Sequence, residues 1–120
     1  MKKAEIIEKL TNDISRYAYR AIITEHLKNI GYDMDMMEYH STLEYGKAFE
    51  AMELLDFFTE SGKGDKVFEA AHNDAMGTIQ ATSDRYGVTR KYYISLLNEA
   101  GFDGLAHYKM TAKFDSNLPQ

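Results

Sequence analysis

The sequence predicts a mostly α fold: a compact helical bundle of about four main helices, followed by a short extended or β C-terminal segment. Three observations carry this expectation. Apolar residues recur at steps of three and four over most of the chain. The one proline, Pro119, lies next to the last residue and so breaks no helix interior. Glycines at Gly31, Gly62, Gly64, Gly87 and Gly101 fall between the periodic segments, where helices stop. The 120 residues, 44% hydrophobic and 28% charged, have globular composition and suffice for one cored domain over 1–120, with 79–100 as a helix-turn-helix-like sub-segment.

The first helix is expected from Lys3 to Ile30, with Ile6, Leu10, Ile14, Tyr17 and Ala21 on one face. Beyond Tyr19 a second stripe of Ile23, His26, Leu27 and Ile30 appears on another side. A helix with two apolar faces is either central in its domain or shared with a partner, so a homo-oligomer through Tyr19, Ile23 and Ile30 is one expectation. Thr11-Asn12-Asp13 could cap a new helix and break this one. After Gly31, residues 32–40 read as a loop with a short helical turn. Ser41-Thr42-Leu43-Glu44 reads as a capping box opening a second helix to about Thr59. Its apolar residues cover more than half the circumference, which makes it the expected most buried helix, with Phe49 and Leu55 in the core.

Ser61-Gly62-Lys63-Gly64 reads as a turn, and Asp65 as the cap of a third helix that buries Phe68, Ala71, Ala75, Ile79, Thr82 and Tyr86. Gly77 within it suggests a kink or a close helix crossing. Gly87 stops this helix and Thr89 caps the next. Gly101-Phe102 has the form of a left-handed C-terminal stop with its hydrophobic contact. From Ala106 to Phe114 apolar and polar residues alternate, which predicts an edge strand or extended arm.

Charge is divided along the chain. Eight carboxylates between Asp33 and Glu60 face one lysine, Lys47, whereas Arg85, Arg90, Lys91, Lys109 and Lys113 face only Glu99 and Asp103. Net charge is -5, which argues against non-specific nucleic-acid binding by the whole surface and leaves room for a local basic face. The absence of cysteine excludes disulfides, thiol catalysis and thiolate metal sites. The polar start, Met1-Lys2-Lys3-Ala4-Glu5, is unlike a secretory signal, and no apolar run reaches the roughly 20 residues that span a bilayer. A cytoplasmic protein without membrane contact is expected.

Three patterns bear on function. Glu50, Glu53, Asp56 and Glu60 fall on one strip of the second helix, and Asp33, Asp35, Met36 and Met37 precede it. Carboxylates beside flexible thioethers suit docking on a basic protein partner, itself a candidate nucleic-acid binder, although the same residues suit a solvated helix face. Size and acidity here are similar to those of small inhibitors carried by phages and mobile elements. The segment Ser83 to Leu97 resembles the helix-turn-helix motif: Ser83, Gly87 four later, apolar Val88, capping Thr89, then Tyr93 and Leu96 as buried positions. That resemblance implies a DNA-binding regulator in which Thr89, Arg90, Lys91 and Ser95 contact DNA. Its alternative is a tight helix-helix corner. Glu69 and His72 share a helical face as in half of a di-iron site, but no second such pair exists, so neither a metal nor another cofactor is expected. Gly101-Phe102-Asp103-Gly104-Leu105 resembles a segment near the end of some ADP-ribosyltransferase-like domains, without the glutamate those enzymes need further on. No nucleophilic triad is legible, so the expected protein is a non-enzymatic interaction module.

Overall fold

The computed structural model describes residues 2–60 and 62–119. Five helices make up the described chain: α1 (Lys3–Asn29), α2 (Met34–Phe58), α3 (Lys63–Tyr86), α4 (Arg90–Glu99) and α5 (Gly104–Ala112). They form an elongated bundle of 50 × 26 × 22 Å. The long helices α1, α2 and α3 lie against one another, and α4 and α5 close one end.

The helix with two apolar faces is the central one. α1 buries Leu10, Ile14, Ala18, Ala21, Ile22, Ile23, Thr24 and Leu27, more than any other helix, which corrects the expectation for α2. Each stretch of α1 meets a different part of the core. Leu10 and Ile14 pack with Ala51 and Leu55 of α2, and Ala18 with Ala48 and Ala71, where three small residues let α1, α2 and α3 approach closely. Ile22, Ile23 and Leu27 join Ile79, Tyr92, Leu96 and Leu97. Most of the second stripe is therefore covered within the chain, while Ile30 at its end stays 41% exposed. Ile23 is fully buried, and the Tyr19 hydroxyl lies 2.8 Å from both Thr78 Oγ1 and Glu99 Oε2, so these two offer no oligomer surface. No break occurs at Thr11, because its hydroxyl donates to the Ile7 carbonyl at 2.7 Å and stays inside the helix ladder.

Two corners share one design. Gly31 (φ 89°) and Gly101 (φ 94°) take the left-handed conformation. Their N–H groups donate to the carbonyls of Lys28 and Asn98, while Tyr32 and Phe102 donate to those of Leu27 and Leu97. This is the Schellman stop, and Tyr32 packs in the same core cluster as Leu27.

The capping-box reading fails. α2 begins at Met34, so residues 34–40 are helical, because Met37 and Ser41 face α1 four residues apart. The buried Ser41 hydroxyl donates to the Ala21 carbonyl at 3.2 Å across the helix interface. α3 is not capped by Asp65 either. Its N-cap is Gly62, and Asp56 Oδ1 of α2 accepts the Gly64 N–H at 3.1 Å. A methyl group on Gly64 would stand 3.1 Å from Met52 Cβ, so glycine permits this close seat on α2. Of the expected α3 face, Ala71, Ala75, Ile79 and Thr82 are buried and Phe68 and Tyr86 half-buried, but Gly77 marks no crossing, since nothing lies within 4 Å of its Cβ position. Of the predicted Ser61–Gly64 turn, Ser61 lies outside the described residues.

The C-terminal strand is absent: the segment is helix α5. Asp103 accepts the Ala106 N–H at 3.2 Å and so caps it, while Tyr108 is buried against the aromatic corner. Local alternation misled because Ala106, Met110 and Phe114 also recur at steps of four. At Gly104 a Cβ would lie 2.3 Å from the Ile94 carbonyl, so this glycine serves the α4–α5 contact.

Tyr32 organises that corner, stacked on Tyr93 at 5.2 Å and on Tyr108 at 6.3 Å between ring centroids. Burial pushes the Tyr32 and Tyr45 phenols up to about 12. Burial likewise raises Tyr19, Tyr92, Tyr93 and Tyr108.

Two expected outcomes follow from this packing. Leu55→Ala should cost about 2–5 kcal/mol in denaturant unfolding, as a fully buried leucine does. Phe49, expected in the core, is 50% exposed, and its alanine variant should cost clearly less than that of Leu55. Equal losses would contradict the placement. For the tyrosines, folding favours the neutral phenol. The Tyr32 contribution is therefore complete below pH 10.0 and is lost as pH rises through about 12. Ultraviolet titration should show these six phenols ionising late and together with loss of helix. Smooth ionisation of all nine tyrosines near pH 10, with the helix intact, would contradict it.

Candidate docking surface on α2

Once the phase of α2 is set from Met34, two faces separate. Met37, Ser41, Ala48, Ala51 and Leu55 face inward. On the outside Met36, Tyr39, Leu43, Gly46, Glu50, Leu54 and Phe57 follow one another at steps of three and four. All seven are exposed, Phe57 by 85% and Tyr39 by 61%. At 1.5 Å per residue the stripe runs about 30 Å. It is thus a line of five exposed apolar side chains, interrupted by Gly46 and Glu50 and uncovered among the described residues, longer than scattered surface leucines would make.

Carboxylates flank the stripe. Asp35, Glu50 and Glu53 are exposed and make no ion pair among the described residues. Glu38 makes one loose pair with Lys28 at 3.5 Å. Lys47, the lone cation of this stretch, turns its ammonium over the Tyr17 ring at 5.3 Å, a cation–π contact that holds it at the edge of the face. The face is therefore acidic along its length, with apolar groups at its centre.

At mid-helix the stripe is dented. A groove of about 770 Å³ runs over Glu38, Tyr39, Leu43, Gly46, Lys47 and Glu50, all on α2. Nothing lies within 4 Å of the Gly46 Cβ position. Glycine in a helix interior costs roughly 0.5–1 kcal/mol relative to alanine, and here no contact within the chain requires it.

The residues expected on this surface divide. Asp35, Met36, Glu50 and Glu53 lie on it. Met37 does not: it is fully buried, because it falls on the α1-facing side once residues 34–40 are helical. Asp33 is the N-cap of α2 at φ 40°, its Oδ2 lying 3.1 Å from His107 Nε2. Asp56 is half-buried in its tie to Gly64, and Glu60 lies exposed past the helix end. Tyr39, Leu43, Leu54 and Phe57 were missed as surface residues. The three-and-four spacing from Met36 to Phe57 is the signal that finds them.

At the α3–α4 junction after Gly87, Thr89, Arg90 and Lys91 are exposed and Ser95 is half-buried. Thr89 occupies the N-cap position of α4, but its hydroxyl donates back to the Tyr86 carbonyl at 3.1 Å. The next turn of α4 carries α5: Asn98 Oδ1 accepts the Gly104 N–H at 2.8 Å, and Ile94 is half-buried in the core cluster.

Glu69 and His72 are both exposed, and among the described residues no group of three or more His, Asp or Glu side chains converges to hold a metal ion. A second depression of about 720 Å³, between α1 and the start of α3, mixes Lys63 and Lys66 with Glu60 and so presents no single charge to a ligand. No helix is long and apolar enough to cross a membrane. Compared with known proteins, the chain matches no family model, no curated protein and no solved structure.

The division between structural and surface carboxylates is testable. Asp56→Ala should lower stability by about 0.5–2 kcal/mol, the usual cost of losing a helix-terminal acceptor. Glu50→Gln and Glu53→Gln should leave unfolding nearly unchanged, and Gly46→Ala should stabilise by up to about 1 kcal/mol. A destabilised Gly46→Ala would mean that the groove is part of the packing.

Proposed function

We propose that the protein is a non-enzymatic interaction module that docks the outer face of α2 on a basic partner protein, covering a cationic surface as a small inhibitor does. One observation carries this reading: five exposed apolar side chains, Met36, Tyr39, Leu43, Leu54 and Phe57, lie along the outside of α2 among Asp35, Glu50 and Glu53, which make no ion pair among the described residues. The apolar groups supply affinity, while the carboxylates speed encounter and select the sign of the partner. A helix with an apolar row between lysines or arginines has the matching chemistry.

DNA reading through Thr89, Arg90, Lys91 and Ser95 is the second reading. It draws support from the exposed cations at the start of α4. It draws less from the rest of that helix, whose following turn is occupied by α5. A recognition helix needs that surface free to enter a major groove.

The test is an amide NMR titration with a synthetic lysine-rich amphipathic helical peptide, repeated at rising salt. Shifts should cluster on residues 35–57 and binding should weaken with salt. The combined Asp35→Lys, Glu50→Lys and Glu53→Lys variant should bind about tenfold or more weakly while keeping its unfolding midpoint. Asp56 is left unchanged there because it holds α3. The matched control is Arg90→Ala with Lys91→Ala in a gel shift on random duplex DNA. An unaffected triple variant, together with a DNA shift lost in the control, would overturn the docking reading in favour of DNA binding.

A further inference from the structure

The far end of the molecule carries a surface of opposite sign and similar design. On the outside of α5, Ala106, Met110 and Phe114 form one row at steps of four, and Leu105, Lys109 and Lys113 form the row beside it. All six are exposed, Met110 by 58% and Phe114 by 86%. Lys109, Lys113 and Arg90 line a groove of about 410 Å³ with Tyr108 and Ala112. None of the three cations makes an ion pair among the described residues. This is an apolar row beside a basic row on a helix, which is the chemistry that the outer face of α2 calls for.

The two faces do not meet within one molecule. α5 packs against α4, with its His107 and Tyr108 turned to the α1–α2 corner at Asp33 and Tyr32. Its Lys109 and Lys113 lie on the side of Arg90, away from that corner, whereas Met110 and Phe114 line a depression with Asp33 and Asp115 at its edge. We infer that the occupant of the α2 face is the α5 face of a second copy of this chain. In that pairing Met110 and Phe114 lie along Leu43, Gly46 and Leu54, and Lys109 and Lys113 lie toward Glu50 and Glu53. The pairing rests on the reading of α2 as a docking surface and names its partner. It also accounts for two unpaired charge clusters of opposite sign in a chain whose net charge is -5. Screening to about 8 Å at physiological salt makes the local match count for more than the net repulsion. Each copy offers one face of each kind, so the contact either closes as a two-fold dimer or extends head to tail.

Sedimentation velocity from low micromolar to near-millimolar concentration tests the pairing. The chain should associate as concentration rises. Lys109→Glu with Lys113→Glu should weaken self-association by about tenfold or more, and so should Glu50→Lys with Glu53→Lys, since each places like charges across the contact. Mixing the two variants restores opposite charges at every contact, and the mixture should associate where neither does alone. A wild-type chain monomeric throughout overturns the pairing, as do variants that associate as well as wild type. A chain that is monomeric but still binds the lysine-rich peptide on α2 loses only the self-pairing, and the docking reading stands. If the monomeric chain shifts duplex DNA and Lys109→Glu with Lys113→Glu abolishes that shift, the basic face belongs to nucleic acid and the pairing is overturned.

Discussion

The structure depends on α1 burying two faces at once. Its inner residues change character along the helix: Leu10 and Ile14 near the start, Ala18 and Ala21 at the middle, Ile22, Ile23 and Leu27 toward the end. The alanines set the spacing of the long helices, because side chains this small let backbones approach, and Ala48 and Ala71 complete the contact. The larger residues at either end join the two larger core clusters. Dispersion and apolar burial at these positions supply most of the stability, since three of the four ion pairs found among the described residues have one partner more than half exposed.

With α1 central, α2 needs only one side for the fold. Its inward residues are small or flexible (Ser41, Ala48, Ala51, with Met37 and Leu55), and its bulk points outward. This reverses the usual economy of a surface helix, in which large apolar groups go to the core and the outside is polar. The inversion is what makes α2 a candidate for docking rather than a solvated face. The carboxylates along it add charge that the chain leaves unpaired.

Much of the fold was legible in the residues and rather less of the candidate site. The glycine stops at Gly31, Gly87 and Gly101 and the buried face of α3 were readable from spacing and local chemistry. The start of α2 was not, because Ser41 and Glu44 imitate a capping box while the true N-cap, Asp33, makes no side-chain cap hydrogen bond and sits at positive φ. That error placed Met37 on the surface, and the breadth of the apolar face put Phe49, which is half exposed, in the expected core. Which of two apolar faces turns inward depends on neighbouring helices, and periodicity alone carries no such information. At the C-terminus an i, i+4 row passed for strand alternation. Nor does sequence spacing reveal that Asp56 ties down the start of α3, since that bond joins two helices across a corner.

The most direct measurement asks whether the outer face of α2 is surplus to the fold. Met36, Tyr39, Leu43, Leu54 and Phe57 can be replaced together by glutamine, a good helix former. The account predicts a chain that unfolds as cooperatively as wild type, at a similar denaturant midpoint and slope, and that no longer associates through α2. A variant that unfolds at a much lower midpoint, or that loses its cooperative transition, would show that the stripe is core and would contradict the account.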